Sequence, residues 1–202
     1  MPNPTITFTS DTYINSLSTL TNYDATGTLY VDMIYVNEVK DRQCRTILKV
    51  QIPPEIKSAE IYKAYLQGIM MSGTAGVEAT VYRMDSGSDA AYWNEAQATW
   101  NSRTTGVAWT NLGGDYTDPH AHFTATFAGG AGDCLQVDIT ELVIDAIDNR
   151  GGLLDLLIRL DDEAPEETVQ ICLATENEPQ TGGTHWPRLL IVRPPFGMPM
   201  AV

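Results

Sequence analysis

The sequence predicts an all-β chain, a jelly-roll-like two-sheet antiparallel β-sandwich with one short helix, on three observations. Apolar side chains recur every second residue: Ile61, Lys63 and Tyr65 alternate with Tyr62, Ala64 and Leu66, and Val77, Ala79 and Val81 with Glu78, Thr80 and Tyr82. Period two marks strands with one buried face. Turn formers break these runs at short intervals, as at Gly73 to Gly76, Ser86 to Asp89 and Gly129 to Asp133, and many short strands so punctuated pack as stacked sheets. One stretch shows helical spacing instead.

Taken in order, strands are expected at Ile6 to Phe8, Thr12 to Ile14, Thr28 to Tyr35, Arg45 to Gln51, Ile61 to Leu66, Val77 to Tyr82 and Phe123 to Phe127. Further strands are expected at Leu135 to Ile139, Leu153 to Leu160, Thr168 to Ala174 and Arg188 to Val192. Between Tyr82 and Phe123, the polar loop Asn94 to Asn101 delivers Trp100, whose size assigns it to the core. The helix runs from Glu141 to Ile147, with Thr140 placed to cap it, Leu142, Val143, Ala146 and Ile147 on one face, and Gly151 and Gly152 ending it. Its expected role is to plug an open end of the sandwich.

A chain of 202 residues buries about 70% of its unfolded surface, enough for one large β core. No Ser/Gly or Pro-rich run longer than a turn divides it and no repeat of domain-building length appears, so residues 1–193 are read as one domain with an N-terminal arm at 1–10. Residues 194–202 form an apolar, proline-broken tail, whose Phe196, Met198, Met200 and Val202 are candidate assembly contacts, docked on its own domain or on a neighbouring subunit. Asp and Glu total 26 against 12 Lys and Arg, a formal charge of -14. Phosphate backbones and anionic membranes repel such a surface, so neither nucleic acid nor membrane is an expected partner. Met1 to Ser10 has neither a basic residue nor an apolar run, so no secretory signal and folding in the cytosol are expected. Cys44, Cys134 and Cys172 cannot all pair within one chain and lack CxxC spacing, which makes buried free thiols the expectation.

The order of segments resembles the DNRLRE family, a β-sandwich classed among carbohydrate-binding modules and related to disaggregatase repeats. The resemblance runs from about Asp11 to Val192: Asp11, Thr12, Tyr13, Ile14 with Asn22, Tyr23 and Leu29; Arg45 to Val50 before Pro53 and Pro54; Ser58 to Ile61; and Val81, Tyr82, Arg83. It continues through Asn94, Glu95, Trp100 and Asn101, Val137 to Val143, Gly152 to Leu154, Ala174 to Asn177, and Pro187, Arg188, Leu189. It implies a scaffold found in polysaccharide-related proteins. On physical grounds Arg45, Arg188 and Glu176 are expected to pair as charges at sheet ends.

No catalytic constellation stands out, and the chain is not expected to be an enzyme. Asp115, Asp118, Asp161, Asp162, Glu163, Glu166 and Glu167 are abundant carboxylates, but abundance does not place an acid opposite a base. The loop Asp161 to Glu167 reads as a solvated turn or a weak calcium site, the one cofactor left open. His120 and His122 share a strand face and would bind metal only if His185 or Asp118 approached as third ligand; no metal site is assigned. No GxSxG or phosphate loop occurs. Glycan binding needs exposed aromatic faces beside hydrogen-bonding side chains, and the candidates are Tyr92, Trp93, Trp109, Tyr116 and Trp186, flanked by Asn94, Asn111, Asp115 and Gln180. Their other reading is core or subunit contact.

The leading expectation is a non-enzymatic virion structural protein of the capsid decoration, cement or head-fibre type. It would be made in the host cytoplasm, self-associate, with a trimer as the working stoichiometry, and bind a major capsid protein or another virion protein. The alternative is an extracellular carbohydrate-binding module that recognises a polysaccharide.

Overall fold

The computed structural model describes residues 3–36, 39–125, 133–164, 167–175 and 187–194. Strands β1 (Thr5–Thr7), β2 (Ser10–Asn15), β3 (Thr28–Val36), β4 (Val39–Gln51), β5 (Lys63–Gly73) and β6 (Val77–Met84) come first. A small hairpin, β7 (Ser102–Thr104) and β8 (Val107–Ala108), precedes β9 (Tyr116–Ala125) and β10 (Asp133–Asp138). Helix α1 (Thr140–Asn149) is followed by β11 (Leu153–Leu160), β12 (Val169–Ala174) and β13 (Arg188–Val192). The chain is therefore mostly β with one α-helix, and a large antiparallel sheet of 11 strands joins everything but the β7–β8 hairpin. Its order is β1-β13-β5-β12-β3-β4-β11-β6-β9, with β10 added to β5 and β2 to β4.

Two long strands organise this sheet by changing partners along their length. Residues 39–44 of β4 pair with β3, while 44–49 pair with β2 and 46–51 with β11. Strand β5 pairs with β13 at 63–67 and with β12 at 70–73, and carries β10 along its other edge. Alternation on β5 is strict, with Ala64, Leu66, Gly68 and Met70 buried between half-buried neighbours. Strand β11 instead buries every residue from Leu153 to Ile158, which explains a run that is apolar but for Asp155: both of its faces are covered.

Those two faces belong to two cores. Leu154, Leu156, Ile158 and Leu160 join Leu48, Val50, Leu66, Val81 and Leu189 in the main core. Leu157 points the other way and joins Ile14, Ile47 and Met84, on which Trp93, Ala98, Trp100 and Trp109 rest. Segment 85–115, between β6 and β9, is thus a cap over the outer face of β2, β4, β11 and β6. Burying a tryptophan contributes about 3 kcal/mol, so three of them hold this irregular segment down. The indole N–H groups are satisfied too: Trp109 donates to the Thr99 carbonyl at 2.8 Å and Trp93 to the Asp155 carboxylate at 2.9 Å.

Helix α1 buries Leu142, Val143 and Ala146 and packs against β5, β9 and β11. The expected cap is corrected. Ile139 is the N-cap residue, without a side-chain bond, because the Thr140 hydroxyl accepts from Ala64 N–H at 3.0 Å and donates to Asp138 at 2.5 Å. Asp138 takes over the capping role and accepts the Thr140 N–H at 3.0 Å. Gly152, at φ +86° with its Cα hydrogen where a Cβ would lie 2.7 Å from the Ile52 carbonyl oxygen, turns the chain into β11.

Candidate functional site

The outer face of the sheet is capped only in part. Toward the far end of β6 the outward positions become Tyr82, Thr80 and Glu78, which face His120, His122 and Thr124 of β9. On the other side of β6, Leu157 lies opposite Tyr82 and Arg159 opposite Thr80. A bulge between Tyr82 and Arg83 lets β9 insert Asp118 and Pro119 while keeping Tyr116 opposite Met84, and a proline, which lacks an N–H, fits a bulge better than a ladder.

Four rings follow one another along this margin. Tyr116 and Tyr82 have centroids 4.7 Å apart, Tyr82 and His120 5.5 Å, and His120 and His122 4.8 Å with the last two edge to face. Polar partners fix each ring. The Tyr116 hydroxyl accepts from Arg159, His120 pairs with Asp118, and His122 Nδ1 lies 2.5 Å from the Thr80 hydroxyl and 3.3 Å from Asp161. Because the Thr80 hydroxyl donates to Asp161, it offers His122 a lone pair, so the assigned tautomer carries its proton on Nδ1 and leaves Nε2 as an acceptor.

Shallow depressions flank the rings. One of about 350 Å³ lies between β9 and the start of α1 and is lined by Lys63, His120, His122, Asp138, Thr140 and Glu141 among others. A second, of about 470 Å³, is lined by Glu78, His122, Phe123, Thr124 and Asp161, so His122 borders both. In the first, Lys63 and Asp138 form an ion pair 2.5 Å apart. Burial alone would raise the Asp138 carboxyl, but Lys63 and Thr140 outweigh it and hold it below the usual carboxylate range.

Behind the rings sits a charged seam. Arg45 donates to both Glu163 oxygens at 2.8 Å and to the Gly113 carbonyl at 2.8 Å, with its guanidinium 5.0 Å from the Trp100 ring. Arg159 reaches the same Glu163 at 3.1 Å. The seam corrects two expectations. Arg45 is paired under the cap, not at a sheet end, and Glu163 of the acidic loop is a half-buried ion-pair partner more than part of a solvated turn. Arg188 bonds Gln67 at 3.0 Å, and Glu176 lies outside the described residues.

Of the aromatic candidates, Tyr116 is in the ring line and the others are placed differently. Trp93 is 1% exposed and Trp109 4%, so neither offers a face to a ligand; each covers apolar side chains of the sheet instead. Tyr92 is half-buried, with Arg103 4.1 Å over its ring and its hydroxyl donating to Asp115 at 2.9 Å. Burial, with Asp115 adding to it, pushes the Tyr92 phenol up to about 12. Asn111 donates its backbone N–H to Asp115 at 2.6 Å, and Asn94 accepts from the Ala98 N–H in the turn that carries Trp100. Trp186, Gln180, Phe196, Met198, Met200 and Val202 lie outside the described residues, as does His185. Among the described residues no group of three or more His, Cys, Asp or Glu is arranged to hold a metal. Cys44 and Cys172 are buried, whereas Cys134 is exposed, against expectation, because it lies on the outward face of β10. Tyr82 and Arg159 were not singled out from sequence, although the alternation of β6 already placed Tyr82 in the outward set with Glu78 and Thr80.

A sheet margin of rings, carboxylates and imidazoles beside open depressions belongs to an all-β domain suited to recognising a ligand across a shallow surface. The chain belongs to carbohydrate-binding module family 96, whose family profile matches residues 2–178. Modules of this kind are typically non-catalytic binding domains. No curated protein sequence matches the chain.

Proposed function

We propose that the chain is a non-catalytic module that binds polysaccharide along the Tyr116, Tyr82, His120, His122 margin. Family membership over residues 2–178 carries the reading, and the ring line supports this choice of surface. Sugar rings present an apolar face to aromatic side chains and hydroxyls to carboxylates and imidazoles, and both kinds of group alternate here. The open depressions on either side of His122 suit a chain passing through more than a buried end group. The capsid-decoration reading leaned on tail residues outside the described set, and family membership favours polysaccharide over it.

The fold supports the same proposal at a finer level, a two-layer jelly-roll sandwich of the DNRLRE type. Asp32 of β3 pairs with Cys44 of β4, so even-numbered residues of both strands share a face there. Yet β3 sends Leu29, Val31 and Met33 into the main core while β4 sends Leu48 and Val50. Two paired strands that turn opposite faces to one core must splay apart around it, which folds the sheet into two layers.

The test is affinity electrophoresis through a panel of neutral, uronate-containing and amino-sugar polysaccharides, with Tyr82→Ala and His122→Ala as variants. At least one polymer should retard the protein, and each substitution should weaken that retardation about tenfold, or about 1.4 kcal/mol. Failure of every polymer to bind, or full binding by both variants with cooperative melting intact, would overturn the proposal.

A further inference from the structure

The cap carries a second surface that the glycan reading does not use. Five large apolar side chains are exposed among the described residues, and four of them, Leu17 at 59%, Leu20 at 78%, Val107 at 41% and Leu112 at 65%, lie on the cap or the loop beside it. Backbone hydrogen bonds draw these segments together: Asn101 N–H donates to the Thr19 carbonyl at 3.3 Å, Trp109 to Asn101 at 3.2 Å, and Gly113 to Trp100 at 2.9 Å. Val107 sits across the β7–β8 hairpin from Thr104.

This end is also without charge. Residues 12–23, 96–102 and 104–114 contain no Asp, Glu, Lys or Arg, although these types make up 19% of the chain. Arg103, the charge between two of those stretches, turns its guanidinium onto Tyr92 at 4.1 Å, and Arg45 beneath is occupied by Glu163 and Gly113. The rest of the molecule carries a net charge of -14.

From this we infer that the cap end is a self-association surface, through which two copies meet about a two-fold axis by apposing Leu17, Leu20, Val107 and Leu112. Copies this acidic repel one another over most approaches, and the neutral end is the approach on which repulsion is least and apolar burial greatest. A two-fold arrangement lets the same patch serve both partners. It also leaves the His122 margin of each copy open, so a dimer presents two glycan sites and gains avidity on a polymer.

Sedimentation velocity of the full chain from about 10 µM to about 1 mM reads the association constant. The expected result is a monomer–dimer equilibrium that strengthens with added NaCl, since salt screens the residual repulsion and no interfacial ion pair is lost. Leu20→Asp and Leu112→Asp should each weaken it at least about tenfold, Leu20→Lys should do the same, and Tyr62→Asp, an exposed site elsewhere, should leave it unchanged. All three positions are on the surface, and unaltered melting verifies the fold. A monomer at every concentration, a dimer that salt weakens, or leucine variants that associate like the parent would each overturn the inference. Polysaccharide retardation of the same variants is a separate readout, so loss of glycan binding and loss of the dimer are distinguishable.

Discussion

Glu163→Ala is the sharpest probe of the seam between cap and binding margin. The Arg45 side chain is 9% exposed and that of Glu163 17%, and Glu163 supplies two of the three hydrogen bonds that Arg45 makes. Removing the carboxylate strands a guanidinium charge between Trp100 and Tyr116 with one carbonyl for company. Breaking a buried pair in this way costs about 3–5 kcal/mol; residual exposure of Glu163 lets water replace part of it, so about 2–3 kcal/mol is expected. At about 2–4 °C per kcal/mol for a chain of this size, Tm should fall by about 4–12 °C. Arg45→Met removes the charge together with its need for a partner and leaves Glu163 with Arg159, so the double variant Arg45→Met, Glu163→Ala should lose less than the two single losses added, with a coupling of about 1–3 kcal/mol. Urea unfolding of the four proteins gives the cycle. Additivity within about 0.5 kcal/mol would refute the reasoning.

Three further outcomes are expected. Gly113→Ala should cost about 2–4 kcal/mol by urea unfolding, because φ is +81° and the new Cβ would meet Arg45 Nη1 at 2.7 Å and the Trp100 ring at 2.8 Å; Gly106→Ala, at φ +78° with nothing within 4 Å, should cost only about 1 kcal/mol, and equal losses at the two sites would sink the steric account. Trp93→Phe removes the N–H that reaches Asp155, whose carboxyl burial already pushes up against the pull of Ser86, Trp93, Lys49 and Arg150. A carboxyl with a raised folded pKa stabilises the fold below the unfolded value, about 3.9, and loses that contribution as pH climbs through the folded value; the Phe variant should therefore be further below the parent at pH 7 than at pH 4, and a pH-independent gap would count against it. Asp115 is the opposite case: burial raises it, but the Thr110 and Asn111 N–H groups and the Tyr92 hydroxyl prevail and lower it, so its contribution exists above about pH 3.9 and fades as pH falls through the depressed folded value. The loss from Asp115→Asn should accordingly shrink on acidification, and calorimetry that shows a constant loss would contradict the assignment.

How much of this was readable in the sequence depends on how locally each feature is specified. Strand β11 was legible because its six consecutive buried residues form a run of leucine and isoleucine interrupted only by Asp155, and β5 because its alternation is strict. The first half of β9 was not: Asp118 and Pro119 precede the strand expected at Phe123 to Phe127, and only the bulge opposite Tyr82 and Arg83 lets such residues stay in a sheet. The cap was hidden for another reason. Trp93, Trp100 and Trp109 follow no period, and what buries them, Ile14, Ile47 and Leu157, lies far away in the chain. A sequence does not distinguish a tryptophan that covers an outer sheet face from one that awaits a sugar, so Trp93 and Trp109 fitted both readings. The Arg45–Glu163 pair spans 118 residues, and nothing local announces it. Thr140 misled because its hydroxyl is engaged by the Ala64 N–H and by Asp138, and Asp138 instead accepts the Thr140 N–H that opens the helix.

The outer face of the sheet changes character in two-residue steps, and that gradient joins fold to function. Along β6 it runs from Met84, under the cap, to Tyr82 at its edge, then to Thr80, a buried hydroxyl bonded to His122 and Asp161, and to exposed Glu78; along β11 it runs from Leu157 to Arg159, with Asp161 just past the strand's end. Arg159 and Glu163 stand where the apolar half meets the polar half, and through them the Tyr116 hydroxyl is tied to the arginine beneath Trp100. The rings proposed to meet a ligand are thus braced by the same contacts that hold the cap closed. A substitution that loosens the cap should weaken glycan binding without touching the ligand, whereas one at His122, on the open side of the gradient, should weaken binding and leave stability nearly intact. That difference in response separates a braced recognition surface from rings that merely happen to line a sheet edge.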